Sequence, residues 1–343
     1  MRILHALTGL FVAGSIRFDL AVCDLLKALG HEVVVAHGSG RPWVGRRPMS
    51  PKELMEYLPP FRRLNPGDFV DVGPMPTVYD HTRGEFRPPL PRAFLAWVEW
   101  ADLLLLSTDN ILVFRDFGKP CLYVVHWPTS IPPERPGPCI CNSRYTLRAV
   151  RERWGSEWAR GATVIHPPLV LEEYRPDRPF RGRDIKVVVY ERLTEHKLRG
   201  LEAIRRLEPV VVGFRYPGAL SGALEGMRAY YDLRWREIPP LLARCRAFTK
   251  LFRGEHWGLT QADAMASGVV PVVPREGGPW EMAGHGRYGL GYGDLAELAE
   301  LLAWITGDGD AWAEWSARAR RRAEEFSWEG ALEALGNYLK TCL

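Results

Sequence analysis

No apolar run in the 343-residue chain approaches the roughly 20 residues that a membrane-spanning helix needs. We therefore expect a cytoplasmic protein, at most peripheral to a membrane. The apolar stretch Ile3 to Ile16 after Arg2 has the outline of a secretory signal, but no small-x-small cleavage site follows, and Arg17, Asp19 and Asp24 continue it in a helical pattern. A buried strand, a loop and a helix fit it better. Cysteine is scarce, six residues mostly inside apolar runs, so buried free thiols are expected rather than a disulfide framework. Cys139 and Cys141 lack the His or second Cys pair that would complete a zinc pattern, and no metal site is expected. Lysine is almost as scarce: seven of the 45 basic residues, the rest being arginine. Arginine is the better fork for phosphate and carboxylate, but base composition or a hot habitat gives the same bias. The net charge of +4 is too small to mark a nucleic-acid binder, and no such partner is expected. A content of 46% hydrophobic and 25% charged residues excludes disorder and collagen-like repeats. The length suggests two domains.

What the chain does contain is an alternation of short β-branched or Leu-rich runs with helical stretches, the pattern of parallel sheets covered on both faces. In the first half we expect strands at Arg2–Ala6, Glu32–Ala36, Leu103–Ser107, Cys121–His126 and Pro138–Asn142. A helix Asp19–Leu29 should end at Gly30, and Ser143 should cap another running to Trp154. Between Arg41 and Arg92 the periodicity fades into a Pro- and Arg-rich stretch, expected over a substrate cleft. A second series follows His166-Pro167-Pro168 and the charged stretch Glu172–Asp184. Its strands are expected at Ile185–Tyr190, Pro209–Gly213, Ala247–Phe252 and Val269–Val273, its helices at Leu201–Leu207, Pro239–Cys245 and Leu259–Ser267. Two α/β halves joined near residues 170–183 imply a cleft between them, where ligands of open α/β sheets sit.

One continuous block carries the chemistry: Glu255-His256-Trp257-Gly258-Leu259, Asp263-Ala264-Met265-Ala266-Ser267-Gly268, Pro271-Val272-Val273 and Gly277-Gly278-Pro279-Trp280-Glu281. It resembles the donor-binding block of family 4 glycosyltransferases, which reads Glu, seven residues, a second Glu, Ala-Met-Ala-x-Gly, a Pro-Val strand and Gly-Gly-x-x-Glu. Asp263 departs from it, one methylene shorter than the second Glu. Without the family the block still makes physical sense. A strand delivers Glu255 to a loop, and Gly258 opens a helix whose free amides suit a phosphate. Singly, Glu255 and Asp263 would be read as solvated acids; the glycines at fixed spacing change that reading.

Other pieces match in the same order. Tyr190-Glu191-Arg192-Leu193 followed by Lys197 and Gly200 resembles the Arg-then-Lys-Gly segment whose cations hold the donor diphosphate, and we expect Arg192 and Lys197 to flank a loop beyond a strand end. Gly14-Ser15-Ile16-Arg17 stands where the family has a Gly-Gly loop against the diphosphate, with Gly14 the matching contact. Tyr123-Val124-Val125-His126-Trp127-Pro128-Thr129 resembles the His-x-Pro segment of mannosyltransferases that extend dolichol-linked oligosaccharides from GDP-mannose. Cys141-Asn142-Ser143-Arg144-Tyr145, Ile165-His166-Pro167-Pro168 and Phe326-Ser327-Trp328-Glu329 extend the likeness over most of the chain outside residues 41–100. Lys250 and Arg253 stand where many relatives have a small Pro-Ser segment, as phosphate contacts or as surface charge.

The resemblance implies a GT-B fold, two Rossmann-like doubly wound domains facing across a cleft. The domains expected are residues 1–168 on the acceptor side, residues 169–327 for the nucleotide sugar, and a C-terminal helix 328–343 packing back on the first. It implies transfer of a sugar, mannose by the His-x-Pro likeness, with retention, from a nucleotide-diphosphate sugar to a hydroxyl of a glycan or lipid-linked glycan. No cofactor is implied, and no Asp-x-Asp follows a strand to hold a metal, so fixed cations and helix amides must meet the leaving group's charge. The expected donor contacts are Gly14, Arg192, Lys197, Glu255, Gly258, Leu259 and Asp263, with His126 and Glu255 at the reacting sugar. Two other readings remain: a nucleotide-sugar epimerase or phosphorylase of the same architecture, and an inactive sugar-nucleotide-binding module, which Asp263 keeps open. Arg-rich residues 41–63, with Trp43, Tyr57 and Phe61 interleaved, suit either anionic lipid headgroups or a soluble lid. The mixed charges after Asp294, such as Arg318, Arg320 and Arg322 with Glu324 and Glu325, read as self-paired solvated helix.

Overall fold

The computed structural model describes residues 1–39, 48–83, 85–190, 194–213, 224 and 226–342. The chain divides into two compact units, Met1–Pro168 with Glu329–Leu343, and Leu169–Trp328. The first unit runs β1 (Arg2–Leu7), α1 (Gly14–Ala28), β2 (Glu32–His37), α2 (Pro51–Glu56), β3 (Phe69–Asp71), β4 (Val78–Asp80), β5 (Glu85–Arg87), α3 (Arg92–Trp100), β6 (Leu103–Ser107), β7 (Cys121–Val125), β8 (Cys139–Cys141), α4 (Arg144–Trp154), α5 (Ser156–Arg160) and β9 (Ala162–Val164). Seven strands form one parallel sheet in the order β3-β2-β1-β6-β7-β8-β9, while β4 and β5 make a separate antiparallel pair.

The central strands show why the chain folds this way. β1 and β6 pair in parallel with Leu4 opposite Leu104, and every residue of β6 is buried. Helices cover both faces of such a sheet, so its strands are continuous apolar runs instead of alternating ones. Four leucines form a strand here because the run is short and Asp102 and Thr108-Asp109-Asn110 bound it. At α4 the Ser143 hydroxyl accepts the Thr146 N–H at 2.9 Å, and Gly155 ends the helix at φ +95°.

The second unit runs β10 (Ile185–Tyr190), α6 (Glu195–Ala203), β11 (Val210–Gly213), β12 (Ala229–Tyr231), α7 (Ile238–Leu242), β13 (Cys245–Thr249), α8 (Leu259–Ala266), β14 (Val270–Pro274), α9 (Gly277–Met282), β15 (Leu290–Tyr292), α10 (Leu295–Gly307) and α11 (Gly309–Glu324). Its parallel sheet has the order β12-β11-β10-β13-β14-β15. The final helix α12 (Trp328–Cys342) serves the first unit: the Tyr338 hydroxyl donates to the Gly161 carbonyl at 2.5 Å and accepts the Cys139 N–H at 2.9 Å. In each sheet the strand order reverses once, between β1 and β6 and between β10 and β13. At such points the loops leaving the carboxyl ends part, and a crevice is left for ligands.

Arg183 fastens the second unit together. It is fully buried, yet its guanidinium donates only to backbone carbonyls: Arg178 at 2.9 Å, Cys245 at 2.8 Å, Pro176 at 3.0 Å and Ser267 at 2.9 Å. Its face lies 4.8 Å from the Trp312 ring centroid. Burial lowers its pKa to about 10, so it stays charged at neutral pH.

Several expectations need correction. α1 starts at Gly14, five residues before Asp19, and α6 starts at Glu195, six before Leu201; β13 stops at Thr249, so residues 250–258 are loop. The 41–92 stretch is not all cover over a cleft: β3 is the edge strand of the first sheet, and Leu54, Leu58, Leu64, Met75 and Phe86 are buried. Asp24 in α1 accepts the backbone N–H groups of Arg63 at 2.6 Å and Leu64 at 2.7 Å, and Arg62 pairs with Glu329 at 2.6 Å. Trp43 and Arg46-Arg47 lie outside the described residues. All six cysteines are free thiols. In α11, Arg318 pairs with Glu314 and Arg320 with Glu324, as self-pairing predicts. No helix among the described residues is long and apolar enough to cross a membrane.

Candidate functional site

In the first unit the loop after β1 leads directly into α1, and Gly14 is the first residue of that helix, not part of a loop before it. Its N-cap Ala13 has no side chain able to cap, and no acid stands in the first turn, so the helix end keeps its positive pole uncapped by a side chain. One turn further, Asp19 is 1% exposed in the middle of an apolar helix face. A buried carboxylate needs a partner. That partner is His126, whose Nε2 lies 2.9 Å from Asp19 Oδ1 at the carboxyl end of β7. Phe18 meets the imidazole edge-on at 5.7 Å. His5 Nε2 stands 3.9 Å from the other Asp19 oxygen, while His5 Nδ1 lies 2.9 Å from the Leu105 carbonyl. Burial alone would lower the His126 pKa, but the Asp19 and Asp109 carboxylates outweigh it and raise the value. For His5 burial wins, and its pKa is lowered.

The loop beyond His126 is pinned. The His126 N–H donates to the Thr108 hydroxyl at 3.3 Å, which donates to the Trp127 carbonyl at 3.2 Å. The Arg153 guanidinium reaches the Pro128 carbonyl at 3.2 Å, and the Trp154 indole reaches the Thr129 carbonyl at 2.8 Å.

In the second unit the loop 250–258 follows β13 at the other reversal point. Lys250 is 6% exposed and its ammonium lies 3.0 Å from Glu255 Oε2. Lys197 is 8% exposed, and its ammonium stands 5.3 Å from the Phe252 ring centroid. Lys197 sits in the first turn of α6 and not in a loop. Gly200 lets that helix approach, since a Cβ there would lie 2.9 Å from the Leu251 side chain. Burial would raise the Glu255 pKa, but Lys250, then Lys197 and His256, outweigh it, and the carboxyl is held below its ordinary value. Arg192 lies outside the described residues.

The glycines of the block hold this loop in place. Gly258 adopts φ +98°, a left-handed conformation that Gly alone takes readily, and starts α8 at Leu259. A Cβ on Gly278 would lie 2.0 Å from the His256 carbonyl oxygen, and one on Gly277 2.6 Å from that of Glu255. The Gly278 N–H donates to the Glu255 carbonyl at 2.8 Å. Gly277-Gly278 is therefore the seat of the Glu255 loop. In the first turn of α8, Thr260 Oγ1 and Gln261 Oε1 are buried without a hydrogen-bond partner among the described residues, a cost that native sites seldom carry without a reason.

Asp263 lies in the second turn of α8. It is 1% exposed and accepts the Tyr174 hydroxyl at 2.5 Å; Tyr174 in turn meets Trp235 edge-on at 5.9 Å. Asp19 and Tyr174 were not identified from sequence. The signal for Asp19 was an acid between Phe18 and Leu20 on an apolar helix face; for Tyr174 there was none. Lys250, left open between phosphate contact and surface charge, is a buried partner of Glu255.

Neither a family model nor a curated protein matches the sequence. Solved structures do match in shape. HepE of Anabaena in complex with UDP-glucose is 18% identical, with 99% of this chain covering 100% of that one at TM-score 0.72. Sucrose-phosphate synthase of Thermosynechococcus elongatus is 15% identical, with 99% of each chain covered at TM-score 0.71. WaaG, a glycosyltransferase of lipopolysaccharide biosynthesis, is 10% identical, with 98% of this chain covering 99% of that one at TM-score 0.68. With the two parallel-sheet units, these likenesses give the chain the GT-B fold, made of two Rossmann-like domains.

Proposed function

We propose that the chain is a glycosyltransferase that moves a sugar from a nucleotide-diphosphate donor to an acceptor hydroxyl. The observation that carries this reading is the loop 250–258 of the second unit. There the buried ammonium groups of Lys197 and Lys250, the Glu255 carboxylate and the start of α8 gather at the carboxyl end of a parallel sheet, where its strand order reverses. The fold supports the reading, as do the UDP and UDP-glucose bound by HepE.

In this mechanism the difficult step is the charge that collects on the diphosphate as the glycosidic bond breaks. Lys197, with Arg192 by resemblance, meets that charge, and the amides at Gly258 and Leu259 add the positive pole of α8. Thr260 and Gln261 have polar atoms ready for a ligand in the same turn. Glu255, kept ionised by Lys250, accepts hydroxyls of the donor sugar. By the resemblance of their motifs, His126, held by Asp19, is assigned to the donor sugar and Gly14, at the α1 terminus, to the diphosphate. Asp263 supports Tyr174 in place of reaching the ribose directly. We read the transfer as retaining, with mannose the sugar and a glycan or lipid-linked glycan the acceptor, on the resemblance of the motifs.

Thermal unfolding with UDP, GDP, ADP, UDP-glucose and GDP-mannose tests the donor site. A true donor at about 100 times its dissociation constant adds about 2.7 kcal/mol of stability. No stabilisation by any of them overturns the reading. Incubating the stabilising nucleotide sugar alone then separates transfer from epimerisation, because an epimerase converts the donor without an acceptor.

A further inference from the structure

An ionised carboxylate has room for about four hydrogen bonds, and the buried Asp19 makes one among the described residues, from Oδ1 to His126 Nε2. Its Oδ2 faces His5 Nε2 at 3.9 Å, which is too far for a hydrogen bond. His5 does not close that gap: its proton sits on Nδ1, because the Leu105 carbonyl beside it can only accept, and its buried Nε2 has no partner among the described residues. A buried charge so thinly bonded costs stability, so Asp19 is a poor device for holding the fold together.

His126 is fixed on its other sides. Its N–H donates to Thr108 Oγ1, its carbonyl accepts the Asn142 side-chain amide at 3.1 Å, and Phe18 meets the ring edge-on. A carboxylate can only accept, so His126 Nε2 carries a proton and Nδ1 is the ring nitrogen left over. No described residue bonds Nδ1, and the side chain keeps 11% of its surface exposed.

We infer that Asp19 is a positioning residue for His126: it takes the Nε2 proton, holds the ring, and so makes Nδ1–H of an imidazolium the group presented to a ligand oxygen. The hydrogen bond at one ring nitrogen sets the state of the other, and an Asp behind a His acts in the same way in hydrolase triads. The ligand class is an oxygen that accepts, either a sugar hydroxyl or a phosphate oxygen. Giving that oxygen to a nucleotide sugar rests on the transfer reading above, whereas the state of the ring concerns the first unit alone. Of the titratable groups around the ring, Asp19 on α1 and Asp109 after β6 both favour its charged form. His5 on β1 and Cys23 on α1 add no charge, since burial keeps the imidazole neutral and the thiol protonated.

The test uses the full chain with ring-15N histidine, the His126 signals being assigned with His126→Gln. In the wild type Nε2 should stay protonated at every pH, while Nδ1 titrates above the ordinary value of about 6.5. Asp19→Asn keeps the side chain's size but can offer an N–H to Nε2, so the tautomers should mix and the midpoint should fall by about one pH unit or more. UDP-glucose and GDP-mannose are then compared with UDP and GDP. A His126 shift with the nucleotide sugars alone assigns the oxygen to the sugar, and a shift with all of them assigns it to the diphosphate. Affinity for the nucleotide sugar that binds should fall up to about tenfold in Asp19→Asn at about pH 7.5, the ratio that one pH unit gives, and recover by about pH 5, where the imidazolium forms unaided. A merely structural role would show no such recovery. An unchanged tautomer and midpoint in Asp19→Asn overturn the inference, as does a nucleotide sugar that binds without moving the His126 signals. If the ring behaves as expected and no nucleotide binds, the positioning role stands and the transfer reading fails.

Discussion

Replacing Gly278 by Ala tests whether the Gly-Gly pair is a seat for the Glu255 loop. The new Cβ would stand 2.0 Å from the His256 carbonyl oxygen, 2.3 Å from its carbon and 2.7 Å from the Trp257 Cα, all backbone atoms. Real Cβ contacts essentially never fall below 3.0 Å, so the loop must retreat by at least 1 Å. It cannot do so freely, because Trp257 is 3% exposed and packs on Phe326 at 5.0 Å. Overpacking of this kind costs about 1–3 kcal/mol, and stretching the Gly278–Glu255 hydrogen bond past its range adds about 1 kcal/mol. A loss of about 2–4 kcal/mol lowers Tm by about 4–16 °C in a unit of this size. A shift of about 1 Å in a positioned carboxylate can cost about a hundredfold in rate, so donor affinity and turnover should fall further than stability alone explains. Gly226→Ala is the control: φ is +77° there and no atom of the described residues lies within 4 Å of the new Cβ, so the left-handed backbone penalty of about 1–2 kcal/mol is what is expected. Scanning calorimetry gives the first quantity and donor titration the second. If Gly278→Ala keeps wild-type Tm and donor affinity, the seat argument is wrong.

Other outcomes follow from the same geometry. Arg183→Met removes the donor from four backbone carbonyls, those of Cys245 and Ser267 buried, and should lower stability by about 2–4 kcal/mol in urea titration, with the first unit's transition unmoved. The folded His126 pKa is raised, so its pair with Asp19 contributes fully below the unfolded value of about 6.5 and is lost as pH rises through the folded one. The Tm gap between wild type and His126→Gln should therefore shrink as pH rises above the unfolded value of about 6.5; a constant gap contradicts the pairing. Lys250→Met removes the neighbour that does most to hold the Glu255 pKa down, leaving burial to raise it, and the acid limb of donor binding should move to higher pH. An unmoved limb would show that the pair does not govern the carboxylate.

The central strands were legible because both sheets are covered on both faces, so β6 and β14 are nearly pure apolar runs and the apolar runs of β1 and β10 are interrupted only at His5 and Lys186. The three-residue strands β9, β12 and β15 are too short to show a period, and they exist only because a neighbour pairs with them. The start of α6 was misplaced because Glu195-His196-Lys197 offers no apolar stripe; what binds that turn is the close approach at Gly200. The Glu255 block was legible from spacing, but the work of Gly277 and Gly278 was not. Their contacts are to the backbone of a loop more than 20 residues earlier, which leaves no trace in local sequence. Asp19 and His126 are 107 positions apart, and nothing local joins them.

The return of α12 to the first unit sets an order of events during synthesis. Residues 169–328 form a contiguous unit whose core needs no residue from outside that stretch. The unit translated first must wait longest: its edge at Gly161 and Cys139 receives Tyr338 only after the whole second unit has emerged. Until then the Cys139 N–H keeps its bond to the Gly161 carbonyl, at 3.1 Å, without the support of the Tyr338 hydroxyl. In a nascent chain, the half made first is thus the half finished last.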